Sequence, residues 1–146
     1  MRPKVYVETT IVSYLSPSPS RDIVLAAHQQ LTREWWARRE RFELFVSRPV
    51  WDEAARGDAE AAAKRIAALD GIPVLLVSAE ASEFADRLLA TAILPANAAI
   101  DALHVAVAVL SGMDYLLTWN CTHIANATIR GRIERVGICY GVNNLQ

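Results

Sequence analysis

Short apolar segments alternate along this chain with longer segments in which apolar residues recur every three or four positions. Short continuous apolar runs are typical of buried strands, and the longer spacing is typical of helices. The apolar runs predict strands at Lys4–Val7, Phe42–Val46, Pro73–Val77, Tyr115–Trp119 and Gly137–Tyr140.

Helical segments are predicted between these strands, with capping and turn residues at several of their ends. Asp58 is placed as an N-cap and Gly71 as a stop, while Ser111–Gly112 forms a tight turn. Two prolines make Ser16–Ser20 a loop, because neither could sit inside a helix. The predicted helices are a short turn from Thr9 through Leu15, Asp22–Arg39, the segment from Ser47 to Gly57, Asp58–Leu69, the segment from Ser78 to about Thr91, the segment from Pro95 to Ser111, and Thr128–Arg135.

Alternation of strands and helices, with most strands apolar on both faces, indicates a parallel sheet that helices cover on both sides. At 146 residues the chain is long enough for one full hydrophobic core. We therefore predict a single α/β domain over residues 1–146, with a sheet of four or five strands.

The composition narrows the class of protein. A net charge of −1 argues against a strongly basic protein that coats DNA. No apolar run reaches the roughly 18 residues of a membrane span, and Glu8 interrupts the apolar core that a signal peptide would need. Cys121 and Cys139 match no zinc-site spacing, and a reducing compartment is the default. These features predict a soluble cytoplasmic protein with no membrane association.

Four polar residues are expected to meet at one edge of the sheet. Glu8 ends the first strand and Asn120 follows the fourth, while Glu53 and Asp101 lie in helices that follow or precede strands. The carboxyl ends of parallel strands are where ligands bind. Carboxylates placed side by side repel unless a cation lies between them, and oxygen ligands suit Mg²⁺ or Mn²⁺. An acidic pocket without a nucleophilic Lys, Ser or Cys points to metal-assisted hydrolysis of a phosphodiester.

Each of these residues also has an ordinary structural explanation. Asp101 would be favoured by the helix dipole, Glu8 could be a solvated acid at a strand end, and Asn120 could cap a turn. A lone histidine in a helix of Ala and Val, such as His104, is more often a packed and hydrogen-bonded core residue than a ligand. Within Trp51-Asp52-Glu53, the neighbours of Glu53 favour it over Asp52 as the inward acid.

Several of these motifs together resemble the PIN-domain family, and within it the VapC-like toxins, the ribonuclease halves of bacterial type II toxin–antitoxin pairs. The likeness extends from about Val5 to Tyr140. Its most specific part is Asp101-Ala-Leu-His104 followed by Leu-Leu-Thr-Trp-Asn at residues 116–120, and its other parts are the strand-end acid before Thr-Thr and the Glu53 helix. The resemblance implies a PIN-like α/β fold and Mg²⁺- or Mn²⁺-dependent endonucleolytic cleavage of RNA.

When the family's functional positions are matched to this sequence, the resemblance implies that the catalytic, metal-binding residues are Glu8, Glu53, Asp101 and Asn120. Thr9 and Thr118 are possible supporting hydroxyls behind these ligands. It further implies a cognate antitoxin protein as partner and a homodimer. Separately, His123 follows a strand end and is therefore a candidate for contacting substrate phosphate. Arg130 and Arg132 are candidates for the same contact because positive charge is concentrated around them.

This sequence departs from the family's pattern at two positions. The family usually has Asp at the first position, where Glu8 is one methylene longer and can still ligate a metal. It commonly has Asp where this chain has Asn120, so one negative charge is missing. An amide oxygen binds a cation less strongly than a carboxylate and cannot act as a base.

Two alternatives to the nuclease stay open at this point. The first is a PIN-like module that binds RNA or a protein but no longer cuts, which Asn120 favours. The second is a phosphatase or phosphotransfer domain on a doubly wound fold. That domain would need an Asp nucleophile after the first strand and a late lysine, whereas this chain has Glu8 and no lysine after Lys64.

Overall fold

The computed structural model describes residues 1–15, 18–90 and 98–120, together with the backbone of 138–140. Five strands form one sheet in the order β3-β2-β1-β4-β5, and every neighbouring pair is parallel. The strands are β1 (Lys4–Val7), β2 (Glu43–Ser47), β3 (Val74–Leu75), β4 (Tyr115–Leu117) and β5 (Ile138–Tyr140). The predicted parallel α/β sheet is confirmed.

Six α-helices connect these strands in the described part of the chain. They are α1 (Thr9–Ser13), α2 (Ile23–Ala37), α3 (Arg48–Ala54), α4 (Ala59–Leu69), α5 (Ala79–Ala90) and α6 (Ala99–Leu110). A single 3-10 turn at Arg39–Arg41, which the sequence did not predict, follows α2. The predicted helix at Thr128–Arg135 lies outside the described residues.

Local signals in the sequence explain where several helices begin and end. The Asp58 side chain accepts a hydrogen bond from the Ala61 backbone N–H at 3.0 Å, as expected of the N-cap of α4. Helix α6 ends at the predicted turn, where Gly112 has φ +71°, a conformation that disfavours residues with a side chain. Both boundaries agree with the prediction.

The centre of the sheet is buried on both faces. Successive residues of a strand point to opposite sides, and Val5, Tyr6 and Val7 of β1 are all fully buried. Helices therefore cover both faces at β1, which is the arrangement expected of a parallel sheet. On one of these faces, Ala102, Val105, Ala106 and Val107 of α6 join the core.

Two predicted strands are shorter than expected, for different reasons. Strand β3 is Val74–Leu75 instead of Pro73–Val77, because it lies at the edge of the sheet and pairs with β2 alone among the described strands. Leu76 beyond it is 88% exposed. Strand β4 stops at Leu117 instead of Trp119. Beyond it the Trp119 N–H donates to the Thr10 side chain at 2.9 Å, which turns the chain toward α1.

Candidate active site

Glu8 lies directly after β1 and is almost fully buried, with 3% of its surface exposed. It is the N-cap of α1, where its Oε2 accepts a hydrogen bond from the Thr10 N–H at 2.6 Å. Its Oε1 accepts from the Thr118 hydroxyl at 3.0 Å, at the end of the neighbouring strand β4. The ends of β1 and β4 are thus joined by a hydrogen bond between Glu8 and Thr118, one of the two hydroxyls predicted to support the ligands.

Burial raises the pKa of the Glu8 carboxyl, against the opposing effects of nearby His104 and of the hydrogen bonds from Thr10 and Thr118. Within the described residues Glu8 forms no ion pair with Lys or Arg. A buried carboxylate without such a partner is costly, and a bound cation would remove that cost.

Glu53 lies on α3 and is held by two side chains from other elements. His104 of α6 contacts its Oε1 through Nε2 at 2.6 Å, and the Thr9 hydroxyl donates to the same oxygen at 2.8 Å. Burial works to raise the pKa of Glu53, but the hydrogen bond and charge of His104, the Thr9 hydroxyl and the charge of Arg56 outweigh it and lower the pKa. Glu53 is therefore an ionised carboxylate at neutral pH.

The expectation for His104 as a packed and hydrogen-bonded core residue agrees with the structure. Its surface is 1% exposed, and both ring nitrogens have partners. Nδ1 lies 2.6 Å from the Tyr6 hydroxyl, which in turn lies 2.6 Å from the hydroxyl of Ser47. Burial, foremost, raises the pKa of Tyr6 far above its ordinary value, so this hydroxyl keeps its proton.

Sequence reasoning missed Tyr6 and Ser47. A tyrosine in the middle of a buried strand was the available signal, because a buried tyrosine hydroxyl usually finds a hydrogen-bond partner. The partner could not be named in advance, since it depends on which helix covers that face of β1.

Asn120 follows β4, and its backbone is fixed beside Glu8. The Asn120 N–H donates to the Thr118 hydroxyl at 2.9 Å, and that hydroxyl donates to Glu8. The preceding residue is held as well, because Trp119 stacks on His28 with ring centroids 4.0 Å apart and donates from Nε1 to Thr32 at 2.8 Å.

Asp101 lies in the first turn of α6, three residues before His104. Residues at this spacing are neighbours on a helix surface, so Asp101 and His104 belong to the same side of α6. The predicted substrate-binding residues His123, Arg130 and Arg132 lie outside the described residues.

The fit of these side chains to a divalent cation is partial. Their oxygen donors are of the type that Mg²⁺ and Mn²⁺ prefer, and among the described residues buried Glu8 forms no ion pair with Lys or Arg. However, over residues 1–15, 18–90 and 98–120 no three His, Cys, Asp or Glu side chains come together closely enough to hold a metal ion. Glu8 and Glu53 are instead bound to hydrogen-bond donors of the chain itself. The four-residue metal site stays a prediction.

Comparison with known proteins finds a likeness in fold but none in sequence. No family model matches the chain, and no curated protein matches it in sequence. A chain in the crystal structure of VapBC2 from Rickettsia felis, bound to a DNA fragment from their promoter, has a similar fold, with a TM-score of 0.60. The two chains are 14% identical, and the match covers 94% of this chain and 98% of the other.

The likeness to the VapBC2 structure confirms the predicted PIN-like α/β fold class. At 14% identity it establishes the fold alone. Within the described part of the chain, no helix is both long enough and apolar enough to span a bilayer.

Proposed function

We propose that this chain is a metal-dependent endoribonuclease, the toxin of a type II toxin–antitoxin pair. The observation that carries the proposal is the pair of carboxylates at the carboxyl edge of the sheet. Glu8 is buried there without a Lys or Arg partner in the described residues, and Glu53 is ionised beside the same histidine, His104. The shared fold with a chain of the VapBC2 complex supports the toxin assignment.

In this proposal Glu8, Glu53, Asp101 and Asn120 would hold Mg²⁺ or Mn²⁺. When bound, the cation supplies Lewis acidity, which favours deprotonation of water and offsets negative charge on the phosphodiester. The chain's own residues orient the ligands: the Thr118 hydroxyl holds one oxygen of Glu8, and Thr9 holds one oxygen of Glu53. His123, Arg130 and Arg132 remain predicted contacts for RNA phosphates.

The same proposal includes a cognate antitoxin as protein partner, a homodimer and a cytoplasmic location. The VapBC2 structure contains such a pair of proteins by name, and its chain is matched over nearly its whole length. We expect co-expression with the antitoxin to be required for high yields of the active protein.

A second candidate function is a PIN-like module that binds RNA or protein without cutting. Two observations favour it. Asn120 stands where a fourth acid is expected from the resemblance. In addition, no group of three metal-ligating side chains is assembled in the described residues.

Cleavage of a mixed set of labelled structured RNAs, with Mg²⁺, with Mn²⁺ and with EDTA, tests the two functions against each other. The nuclease proposal expects cleavage that needs the metal and is lost in Asp101→Ala. If the wild type is inactive but Asn120→Asp cleaves RNA, the missing negative charge has disabled the site, and the second candidate function, binding without cleavage, is the correct one. Metal-independent cleavage, or full activity in Asp101→Ala, would refute the proposed mechanism.

A further inference from the structure

Three aromatic rings meet beside the candidate active site, at the point where the chain leaves β4. Trp119, the residue before Asn120, stacks on His28 of α2 with ring centroids 4.0 Å apart and an angle of 17° between the ring planes. Tyr14, directly after α1, has its ring centroid 5.7 Å from that of His28 and 5.9 Å from that of Trp119. We refer to Tyr14, His28 and Trp119 as the aromatic cluster.

The geometry of the aromatic cluster leaves one face of the His28 ring without an aromatic neighbour. Tyr14 is almost equally far from the two stacked rings and is inclined to them at 84° and 67°, so it lies beside the stack and not on top of it. Within the described residues His28 has no ring contact other than those with Tyr14 and Trp119. All three residues are half-buried, so the cluster is partly open to solvent.

The surface beside His28 on α2 is apolar. Val24, one turn before His28 on the same side of the helix, is 63% exposed, and Ala27 is exposed as well. Among the described residues the buried Nδ1 atom of His28 has no hydrogen-bond partner, so ring contacts and not a hydrogen bond at this atom hold the imidazole. A histidine that served packing alone would ordinarily satisfy this nitrogen.

Hydrogen bonds join the aromatic cluster to the candidate active site. The Trp119 N–H donates to the Thr10 hydroxyl at 2.9 Å, and the Thr10 N–H donates to the Glu8 carboxylate at 2.6 Å. The Trp119 indole is also fixed at its other end, because Nε1 donates at 2.8 Å to the fully buried Thr32. An extended ligand that reaches Glu8 and Asn120 therefore passes next to the cluster.

We propose that the His28 ring, lying against Trp119, binds an unpaired nucleobase of RNA by stacking on its free face. This inference rests on the proposed function for the identity of the ligand as RNA. Every nucleobase has a flat face, and stacking on aromatic side chains, histidine included, is a common way in which proteins hold single-stranded RNA. Bases inside a duplex already stack on their neighbours, so the aromatic cluster selects single strands and loops.

Binding of a short single-stranded RNA in EDTA, followed by fluorescence anisotropy, tests this role without cleavage. The comparison is a strand of the same length whose sugars carry no bases, because it keeps the phosphates and removes the stacking faces. We expect the strand without bases to bind about fivefold more weakly or worse. Equal affinity for the two strands would overturn the inference, and so would the absence of binding to both.

Two substitutions at His28 distinguish stacking from a hydrogen bond to phosphate. His28→Ala removes the ring, whereas His28→Phe keeps a flat ring without nitrogen atoms. We expect His28→Ala to weaken binding of the RNA by about fivefold or more, and His28→Phe to bind it nearly as the wild type does. Gln30→Ala is the matched control, because Gln30 is exposed elsewhere on α2, where it contacts Glu34.

The same two variants also define the results that contradict stacking. Equal losses in His28→Ala and His28→Phe, with both proteins folded by urea denaturation, would mean that the imidazole nitrogens bind the RNA and would overturn the inference. Unchanged affinity in His28→Ala would overturn it too, and would leave the aromatic cluster to a protein partner.

These measurements separate the inference from the nuclease function. Base-dependent RNA binding by a protein that does not cleave RNA in Mn²⁺ would refute the nuclease and leave the stacking role of His28 standing. Metal-dependent cleavage together with equal binding of the strands with and without bases would do the reverse.

Discussion

Removal of the Tyr6 hydroxyl is the simplest test of the buried hydrogen bonds that link Ser47, Tyr6 and His104. In Tyr6→Phe the ring stays in place, but the Ser47 hydroxyl and His104 Nδ1 each lose a partner at 2.6 Å. Both of these residues are buried, so water cannot readily replace the lost contacts.

The expected cost follows from the number of orphaned groups. A buried group that loses its only partner costs about 1–3 kcal/mol. Since two such groups are left, Ser47 and His104, we expect Tyr6→Phe to lower the free energy of unfolding by about 2–6 kcal/mol. Ser47→Ala removes only the hydrogen bond between Ser47 and Tyr6 and leaves Tyr6 bonded to His104, so we expect a cost of about 1 kcal/mol.

The double variant gives the sharper result. When Ser47 is already Ala, Tyr6→Phe no longer leaves a buried serine hydroxyl without a partner. The combined cost should therefore fall short of the sum of the single costs by about 1–2 kcal/mol.

Urea denaturation of the four proteins of this double-mutant cycle is the assay. Tyr14→Phe is a suitable control, since its ring contacts with His28 and Trp119 are kept, and a change below about 0.5 kcal/mol is expected. Additivity of the two single costs within about 0.5 kcal/mol would refute the reasoning, because it would mean that Tyr6 and Ser47 do not interact.

Three further predictions concern the site and the core. Burial raises the pKa of Glu8 above 4.5, so the folded, metal-free protein should lose stability as pH rises from 4.5 through that raised pKa. Glu8→Gln should remove this dependence of melting temperature on pH. Parallel curves of melting temperature against pH for the wild type and Glu8→Gln would contradict the prediction. The pKa of Glu53 is lowered, with burial outweighed mainly by His104, so its contribution should be present above 4.5 and be lost as pH falls below that value; an unchanged acid transition in Glu53→Gln would argue against it. Leu117→Ala, at a fully buried position of β4, should cost about 2–5 kcal/mol by urea denaturation. Leu76→Ala, 88% exposed, should change stability by less than about 0.5 kcal/mol, and equal costs for the two leucines would refute the burial argument.

Much of the fold could be predicted because local signals and hydrophobic pattern agree. Strand β1 has the predicted bounds, and Asp58 and Gly112 mark helix ends where the sequence places them. The length of β3 could not be predicted, because Val74–Leu75 is apolar enough for a central strand and only the strand order puts it at the edge.

The positions of Glu8 and Glu53 after strands, and Thr9 and Thr118 as hydroxyls beside them, could be predicted, whereas the contact of His104 with Glu53 could not. Glu8 could be chosen as a candidate because it follows the first strand, and Glu53 because it lies in the helix that follows the second strand. Their contacts with Thr118 and His104 join residues about a hundred and about fifty positions apart, so they depend on how α6 and β4 pack. The sequence alone carries no local pattern for such pairings.

The proposed function requires that the acidic residues at this edge of the sheet bind a divalent metal ion and thereby support RNA cleavage. The most direct measurement compares RNA cleavage in Mn²⁺ by the wild type, Glu53→Gln and Asp52→Asn. These two variants each remove one negative charge from neighbouring positions of α3, but only Glu53 contacts His104. We predict that Glu53→Gln loses about a hundredfold or more of the rate while Asp52→Asn keeps it. Equal rates in the two variants, or cleavage that persists in EDTA, would contradict the account.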